Sequence, residues 1–571
     1  MEPDKRIEQL LTAYLVRDNH AASDYFGLIR ELLQIKKSDP AVQNNIDQAY
    51  SLVEDEIISN RDLPVNEINF GTSGWRGILG KDVFVKSVGC VTEAIVDLYK
   101  LADSDRNLHP HLGVSSFEEA RQRGSLVGWD NRFGGEILGR CVADTLLKHG
   151  FEVYLCGEST TGVLSASLLE LQAAFSVNLT PSHNPLDYGG YKFNAADGGP
   201  AASELTSLIT QKSRERIAGP LETEPAAVQG HGELVEIDSF ALWQQLVDKN
   251  KEVHRIDYRF LIQQTAEYRD LDIVIDSVHG ASRLHIKRLL GPAVDKLEHL
   301  RGEPDVTFGG IAPEPSSENM SRVTDRLQRS QKKLKIGAII DPDADRIRFT
   351  DGTSEISMNQ FGAMAYHFLH EYKKLNGMVA KTVATSNLAN SVAAYLGEEL
   401  FETKVGFKEF KPVIGKALVY FEESDGISVI GHTPEKDAYI GLLLALDMVV
   451  TTGRNLSEIK REMDEIYGAF YPDRDGLAVS LKGDELMAAL AGLEKYDVGS
   501  TVKVGALKKT IKEIISKDGR KMIFEDDSWL MIRPSGTEPK VRFYVESRDP
   551  EGTTDLVEAA ENMLLEVGLL H

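Results

Sequence analysis

The chain has 571 residues, of which 42% are hydrophobic and 27% are charged, which is ordinary for a soluble globular protein. Its formal net charge of −24 argues against nucleic acid or an anionic membrane surface as a partner. Three cysteines without paired spacing argue against a disulfide framework, and no apolar run reaches 18 residues. Since the first residues lack a signal-peptide pattern, we expect a cytoplasmic protein with no membrane association.

The N-terminal part of the chain differs in texture from the rest. Residues 1–66 are predicted to form a helical extension, because IEQLLTAYL, YFGLIRELLQI and IDQAYSLVEDEII repeat apolar residues at helical spacing. From Phe70 onward, an apolar strand, a small polar loop and a helix follow one another in three stretches: SLVGWDNRFGGEILGRCVADTLLKHG, DIVIDSVHGASRLHIKRLLG and AKTVATSNLANSVAAYLG. This alternation predicts three related α/β domains with parallel sheets. The alternative is one large α/β domain with insertions.

Linker-like segments at 218–233, 303–319 and 451–457 suggest where the domains meet. We expect α/β domains at 67–217, 218–355 and 356–455. Beyond these, the strand-like segments VKVGALKKTIKEII, RKMIFEDD and SWLMIRPSGTEPKVRFYVES precede a closing helix, TTDLVEAAENMLLEVG. Residues 456–571 are therefore predicted to form a smaller α+β domain.

The segment AAFSVNLTPSHNPLDYGGYKFN presents Ser182 in a loop at the end of a strand. Prolines on both sides, Pro181 and Pro185, make this turn rigid. A hydroxyl held in this way is suited to carry a phosphoryl group, provided that other loops supply a metal and a phosphate anchor.

The loop DPDADR follows an apolar strand and places Asp341, Asp343 and Asp345 at every second position. Three hard oxygen donors this close together call for a cation, and Mg²⁺ is the natural occupant. An EF-hand is excluded, because it requires Gly and Glu where Arg346 and Gly352 stand. The alternative is an acidic turn that is solvated at the end of a strand.

The segment RPSGTEPKVRFYVE is suited to bind a phosphate monoester. Backbone amides in a tight turn bind anions, and arginine binds phosphate through two hydrogen bonds. The alternative is a polar hairpin turn. The groups that would form the cradle are Arg533, Ser535, the amides around Gly536, Thr537, Lys540 and Arg542.

Two shorter loops add sugar and charge recognition. FEESDG offers Glu422 and Ser424 on one side of an extended loop, and FGTSGWRG presents Arg76, although either could be an ordinary turn. A phosphoserine carries about −1.5 to −2 at neutral pH. Together with three aspartates and one Mg²⁺ it leaves roughly −3, so nearby cations are needed. Arg346, Lys192 and Arg76 are the candidates.

These motifs in this order (FGTSGWRG, TPSHNP, DPDADR, FEES, RPSGTEPK) resemble the α-D-phosphohexomutase superfamily, of the phosphoglucomutase/phosphomannomutase type. The resemblance covers roughly residues 67–571, with matching texture at GWDNR and KVGFKEF. It implies three related α/β domains and a C-terminal α+β domain around a central active-site cleft. It also implies a phosphoserine enzyme that depends on Mg²⁺ and uses glucose 1,6-bisphosphate as activator and intermediate.

The resemblance also implies roles for individual residues. Ser182 would carry the phosphate and contribute an oxygen to the metal held by the three aspartates; Lys192 would take part in proton transfer, beside His183. The sugar would be read by Glu422 and Ser424. Further substrate contacts are implied for Gly406, Lys408, Lys436, Arg533, Ser535, Gly536 and Thr537.

The chain departs from the family pattern at the sugar loop, where Phe421 replaces the usual Gly and Asp425-Gly426 follows Ser424. We expect interconversion of glucose 1-phosphate and glucose 6-phosphate. The alternatives are a phosphomannomutase, a mutase for both sugars, or a weakly active phosphoprotein with a scaffold role. The partners expected are sugar phosphates, and the assembly a monomer or homodimer.

Overall fold

The computed structural model describes residues 3–71, 74–219, 232–481, 483–535 and 540–570. Within these residues the chain forms four domains, each built on one β-sheet. The first three are α/β and the last combines an antiparallel sheet with helices, as the sequence predicts. In the part of the chain described here, no helix has the length and apolar character needed to cross a membrane.

The first domain contains a six-stranded sheet within the described residues. Its strands are β1 Trp75–Ile78, β2 Ser125–Trp129, β3 Val153–Glu158, β4 Phe175–Leu179, β5 Tyr188–Ala195 and β6 Leu234–Glu236. The order across the sheet is β1-β5-β4-β2-β3-β6, and β5 runs antiparallel to both of its neighbours. The helices are α1 Pro3–Tyr14, α2 Tyr25–Lys36, α3 Gln43–Ser59, α4 Val85–Leu101, α5 His109–Leu112, α6 Phe117–Arg123, α7 Gly135–Lys148, α8 Thr161–Leu171 and α9 Ser203–Ala218.

The three N-terminal helices are part of this domain and do not form a separate extension. The side chains that α2 and α3 bury completely are Leu28, Ile29, Leu32, Val53 and Ile57. They belong to the same apolar cluster as the strands and helices of the first domain. An amphipathic helix gains most of its stability by burying its apolar face in this way. The boundary expected at residue 66 is therefore wrong as a division between folding units.

The second domain begins later than the boundary expected at residue 218. Strand β6 pairs in parallel with β3, so Leu234–Glu236 completes the first sheet. All three residues of β6 are exposed, which explains why its sequence carries no buried-strand pattern. The expected linker at 218–233 lies mostly outside the described residues.

The second domain has a mixed sheet in the order β11-β10-β9-β7-β8. Its strands are β7 Leu271–Asp276, β8 Leu297–Leu300, β9 Leu334–Ile340, β10 Ile347–Thr350 and β11 Glu355–Ile356. Its helices are α10 Ser239–Lys249, α11 Lys251–His254, α12 Tyr258–Glu267, α13 Ile286–Leu290 and α14 Ser317–Arg329. Strand β7 runs parallel to β8 and β9, and β9 ends at the aspartate loop.

The third domain has a sheet in the order β13-β12-β14-β15. Its strands are β12 Val379–Thr382, β13 Leu400–Thr403, β14 Val419–Glu422 and β15 Gly426–Val429. Its helices are α15 Met358–Glu371, α16 Leu388–Leu396, α17 Ala438–Thr452 and α18 Leu456–Tyr467.

The expected boundary at residue 456 is also wrong. Helix α18 buries Leu456, Met463 and Tyr467 in the core shared by the second and third domains. The segment 451–457 is a tight connection between two helices: Gly453 ends α17 in a left-handed conformation, and Asn455 caps α18. Its polar composition reflects helix capping instead of a domain linker.

The fourth domain holds an antiparallel sheet in the order β16-β21-β20-β19-β18-β17. Its strands are β16 Tyr471–Ala478, β17 Thr501–Val504, β18 Leu507–Ile515, β19 Arg520–Phe524, β20 Trp529–Pro534 and β21 Lys540–Ser547. Helices α19 Gly483–Ala491 and α20 Gly552–Glu566 complete it. Its interface with the third domain includes an apolar cluster in which Trp529 and Met531 pack with Val383 and Ala384.

The buried His254 makes the free energy of unfolding depend on pH. Its Nδ1 accepts a hydrogen bond from the amide of Ile256, which requires the neutral ring, and burial lowers its pKa to about 3. The unfolded chain protonates near pH 6.5, so stability is lost as the pH falls below that value, by about 1.4 kcal/mol per unit. Thermal unfolding of a His254→Gln variant between pH 7.5 and 5 should show a shallower pH dependence than the parent; equal slopes would contradict this.

Candidate active site

The loop that carries Ser182 joins β4 to β5 and is held in a strained conformation. Ser182 is 1% exposed and has φ of 59°, a left-handed value that few residues other than glycine adopt. Its amide donates to Thr180 Oγ1 at 2.8 Å. Strand β5 passes so close that a Cβ at Gly190 would lie 2.4 Å from the carbonyl oxygen of Thr180. The loop is therefore fixed from both its own turn and the neighbouring strand.

Arg132, which the sequence analysis did not assign, holds this loop from beneath. Its guanidinium donates to the carbonyl oxygens of Ser182 and Pro185, both at 2.6 Å, and of Asn184 at 2.5 Å. Asp130 pairs with Arg132 at 3.3 Å and accepts from the Thr180 hydroxyl at 2.7 Å. Burial raises the pKa of Asp130 to about 6, against the opposing effect of Arg132. Both belong to GWDNR, whose position after a strand was the available signal.

The aspartate loop between β9 and β10 lies against Ser182. Asp341, Asp343 and Asp345 are buried, and one oxygen from each lies within 4.8 Å of the others. Ser182 Oγ donates to Asp341 Oδ2 at 2.8 Å. Burial raises the pKa of Asp341, and the neighbouring Asp345 and Asp343 raise it further. The structure thus brings together the serine and the three carboxylates that the sequence predicts.

The donors of this cluster fit a divalent cation. Among the described residues, Oδ1 of Asp343 and Oδ1 of Asp345 have no hydrogen-bond partner although both are buried. A buried carboxylate oxygen without a partner is costly unless a cation reaches it. All three ligand atoms are carboxylate oxygens, and oxygen is the donor that Mg²⁺ prefers. The residues present therefore form a candidate metal centre.

Two lysine side chains form ion pairs with the Oδ2 atoms of the aspartate cluster. Lys192 Nζ lies 2.5 Å from Asp343 Oδ2 and 2.8 Å from Asp345 Oδ2, and Lys436 Nζ lies 3.1 Å from the latter oxygen. Burial alone would lower the pKa of Lys192, but Asp343 and Asp345 outweigh it and raise the pKa. Thr161, which the sequence analysis missed, donates to Asp343 Oδ2 at 2.7 Å from the start of α8.

Arg76 and Arg346 lie on the same side of the cluster. Arg346 Nε is 3.7 Å from Asp345 Oδ1, and Arg76 sits on β1 opposite Gly190 of β5. Burial lowers the pKa of Arg76, and the charge of Arg346 lowers it further. Two guanidinium groups that disfavour each other in a buried site are suited to share an anion such as phosphate.

His183 is the immediate neighbour of the serine. Its Nδ1 lies 3.3 Å from Ser182 Oγ. Burial, together with the charge of Arg346, lowers the pKa of His183 well below its usual value. The ring is therefore neutral at physiological pH and can exchange a hydrogen bond with the hydroxyl.

Lys436 connects the predicted sugar-reading pair, Glu422 and Ser424, to the aspartate loop. Glu422 Oε1 accepts from the Ser424 hydroxyl at 2.7 Å and lies 3.3 Å from Lys436 Nζ. Because Lys436 also pairs with Asp345, its ammonium group is shared by the FEESDG loop and the aspartate loop. Glu422, Ser424 and Lys436 are thus placed together, as the sequence predicts.

The two departures in the sugar loop have structural explanations. Phe421 is fully buried in the core of the third domain, where its ring occupies the space that a side chain at Gly362 would need. Asp425 is 1% exposed and pairs with Arg348 of β10 at 2.7 Å. Arg474 of the fourth domain lies 3.9 Å from the same carboxylate. Beside these two residues, the Ser424 hydroxyl donates to Glu422.

The remaining predicted substrate contacts that the structure describes belong to the third and fourth domains. Gly406 has φ of 124°, and Lys408 reaches the first domain, where Nζ donates to Ser203 Oγ at 2.8 Å. Arg533 lies directly across the sheet from Arg542, and the amide of Ser535 donates to the carbonyl of Lys540 at 2.8 Å. Like charges directly opposite each other on a sheet destabilise it unless anions compensate them, and Arg533 Nε lies 3.3 Å from Asp518 Oδ2. Gly536 and Thr537 lie outside the described residues.

Comparison with known proteins agrees with this arrangement. Models of the phosphoglucomutase/phosphomannomutase family match the chain in all four parts. The α/β/α domain I model matches residues 110–218, domain II residues 253–354, domain III residues 357–467 and the C-terminal domain residues 481–563.

Relatives of several named activities cover most of the chain. A phosphoglucomutase/phosphomannomutase of Thermococcus kodakarensis is 25% identical over 516 residues, covering 87% of this chain and 98% of its own. A phosphoglucosamine/phosphogalactosamine mutase of Sulfurisphaera tokodaii is 24% identical over 492 residues, covering 86% and 97%. The solved structure of a candidate phosphomannomutase from Thermus thermophilus has a TM-score of 0.67 and 25% identity, covering 88% and 99%. The chain belongs to the phosphoglucomutase/phosphomannomutase family of the α-D-phosphohexomutase superfamily, whose members are intramolecular phosphotransferases of the isomerase class.

Proposed function

We propose that the protein interconverts glucose 1-phosphate and glucose 6-phosphate through a phosphorylated Ser182 and a glucose 1,6-bisphosphate intermediate. One observation carries the proposal. The Ser182 hydroxyl lies 2.8 Å from a carboxylate of the buried aspartate cluster, and that cluster is linked through Lys436 to the sugar loop. The residues proposed as phosphate carrier, metal ligands and sugar reader therefore lie in one site.

The metal in this proposal is Mg²⁺, and Asp341, Asp343 and Asp345 would hold it together with a phosphoryl oxygen on Ser182. When bound it would supply a Lewis acid that withdraws charge from the transferring phosphoryl group. The unpartnered oxygens of Asp343 and Asp345 support this assignment.

The residues of the chain position the reacting groups and balance the protons. In the first step the bond from phosphorus to Ser182 Oγ breaks and a bond from phosphorus to the free sugar hydroxyl forms. Lys192, held as an ammonium beside Asp343, can give a proton to the departing serine oxygen and accept the one that the sugar hydroxyl releases. The bisphosphate then turns by about half a revolution, and its other phosphate returns to Ser182.

The sugar and phosphate loops must accept both orientations of the intermediate. Glu422 and Ser424 would bind adjacent hydroxyls, and the facing Arg533 and Arg542 would hold the phosphate that does not react. Arg76 and Arg346 would compensate the charge of the phosphoserine. Most of the rate acceleration then comes from positioning and charge neutralisation.

Removal of the phosphate carrier tests the reaction type. A Ser182→Ala variant should lose essentially all mutase turnover, because the hydroxyl that it removes is the one held against the aspartate cluster. Intact-mass spectra of the parent should show one added phosphate that is lost and regained in the presence of substrate. Near-normal turnover by the variant, or a phosphate that substrate never removes, would contradict the proposal.

Removal of one metal ligand tests the cation. Asp343→Asn should weaken Mg²⁺ binding, measured by calorimetry on the unphosphorylated enzyme, by about 10-fold or more, and should lower the maximal rate at saturating Mg²⁺. Asp55→Asn makes the same chemical change on the exposed face of α3 and should leave both quantities unchanged. Unaltered Mg²⁺ affinity in the Asp343 variant would exclude this metal centre.

The identity of the sugar is tested by kcat/KM for glucose, mannose and glucosamine 1-phosphates measured side by side. We expect glucose 1-phosphate to be preferred over glucosamine 1-phosphate by about 10-fold or more, because Glu422 and Ser424 are placed to bind hydroxyl groups. A higher kcat/KM for mannose 1-phosphate would change the proposed substrate to mannose phosphate and leave the proposed mechanism as it is. Turnover of none of the three would favour the scaffold role.

A further inference from the structure

The three N-terminal helices have no part in the site as described so far. They lie before residue 110, where the match to the family models begins. Their burial is nevertheless complete at Leu28, Leu32 and Val53, so they are firmly packed on the first domain. Two of their polar or aromatic side chains contact the machinery that holds the Ser182 loop.

The first contact is made by Arg30 of α2. Its Nη2 lies 2.6 Å from Oδ1 of Asp187, an ion pair whose N–H groups are not aligned for a hydrogen bond. Asp187 is five residues beyond Ser182 in the same loop. The Asp187 side chain is 14% exposed, and its backbone carbonyl accepts from the amide of Leu79 at 2.9 Å. Arg30 therefore fixes the end of the loop that leads into β5.

The second contact is made by Tyr50 of α3. Its ring packs on Phe133, with centroids 4.6 Å apart, and Phe133 directly follows Arg132. The Tyr50 hydroxyl is buried without a hydrogen-bond partner among the described residues, so Tyr50 acts through its ring. The guanidinium of Arg132 lies between the loop carbonyls and the ring of Phe308, 4.8 Å from its centroid. Phe308 therefore restricts Arg132 directly, and Tyr50 restricts it through the adjacent Phe133.

These contacts answer a need of the loop itself. The left-handed conformation of Ser182 is strained and persists only where the surroundings impose it. The loop must also keep its position through both phosphoryl transfers, and a displacement of about 1 Å can cost up to about 100-fold in rate. We infer that the N-terminal helices are a positioning element for the phosphoserine loop, with Arg30 acting on it through Asp187.

A role in stability alone would leave a different signature. The Arg30 side chain is 47% exposed, and an ion pair so open to solvent contributes little to folding stability. Loss of the pair should therefore change the thermal midpoint very little. A positioning role instead predicts a fall in kcat at nearly constant KM, because substrate is bound by other loops.

The inference rests on the proposed function, and a double-mutant cycle tests it. Arg30→Met, Asp187→Asn and the double variant are compared for kcat, KM, thermal midpoint and the rate at which glucose 1,6-bisphosphate phosphorylates Ser182. Each single variant should lower kcat and the phosphorylation rate by about 10-fold, and the double variant should be no worse than either single one. Arg30→Lys should recover part of the loss.

Arg17→Met is the matched control, because Arg17 forms an exposed pair with Asp18 in the same N-terminal segment, far more accessible than the Arg30 pair. It should leave kcat unchanged. If the parent turns over sugar phosphates while the Arg30 and Asp187 variants match its kcat, the positioning role is overturned. Additive effects of the two substitutions would overturn the role of the pair. A parent that neither accepts phosphate nor turns over any sugar phosphate would refute the proposed function instead.

Discussion

Charge balance around three buried carboxylates is the constraint on which the rest of the site depends. Asp341, Asp343 and Asp345 lie away from solvent, where an uncompensated negative charge is costly. Lys192 comes from the first domain and Lys436 from the third, so the compensation is assembled from separate parts of the chain. The site can therefore exist only when the first three domains are packed together.

The backbone reinforces this dependence. The amide of Thr161 in the first domain donates to the carbonyl of Asp343, and the amide of Ala438 in the third donates to that of Ala344. The amide of Ile347 donates to the carbonyl of Asp425, whose carboxylate pairs with Arg348. The aspartate loop is thus attached to the domains on either side of it. A rigid attachment suits the mechanism proposed above, in which the same groups would serve two transfers in opposite orientations.

Much of the site could be predicted because its residues lie in short local motifs. Asp341, Asp343 and Asp345 follow a buried strand at alternate positions, and this spacing is visible in the chain itself. The supporting residues could not be predicted in the same way. Arg132 is 50 residues from Ser182, and Thr161 is 182 residues from Asp343. No local pattern shows that such side chains will meet.

The domain boundaries show the same limit. Polar segments at 218–233 and 451–457 have the composition of linkers, but β6 joins the first sheet and α18 packs into the core of the second and third domains. By itself the sequence determined the α/β class and the family, since periodicity and motif spacing are local properties. Only the tertiary structure decided to which domain β6 and α18 belong. It also decided that Phe421 packs in the core, that Asp425 pairs with Arg348, and that the N-terminal helices contact the loop of Ser182. These depend on contacts between distant segments, and such contacts form only when the packed chain buries its apolar faces and pairs its buried charges.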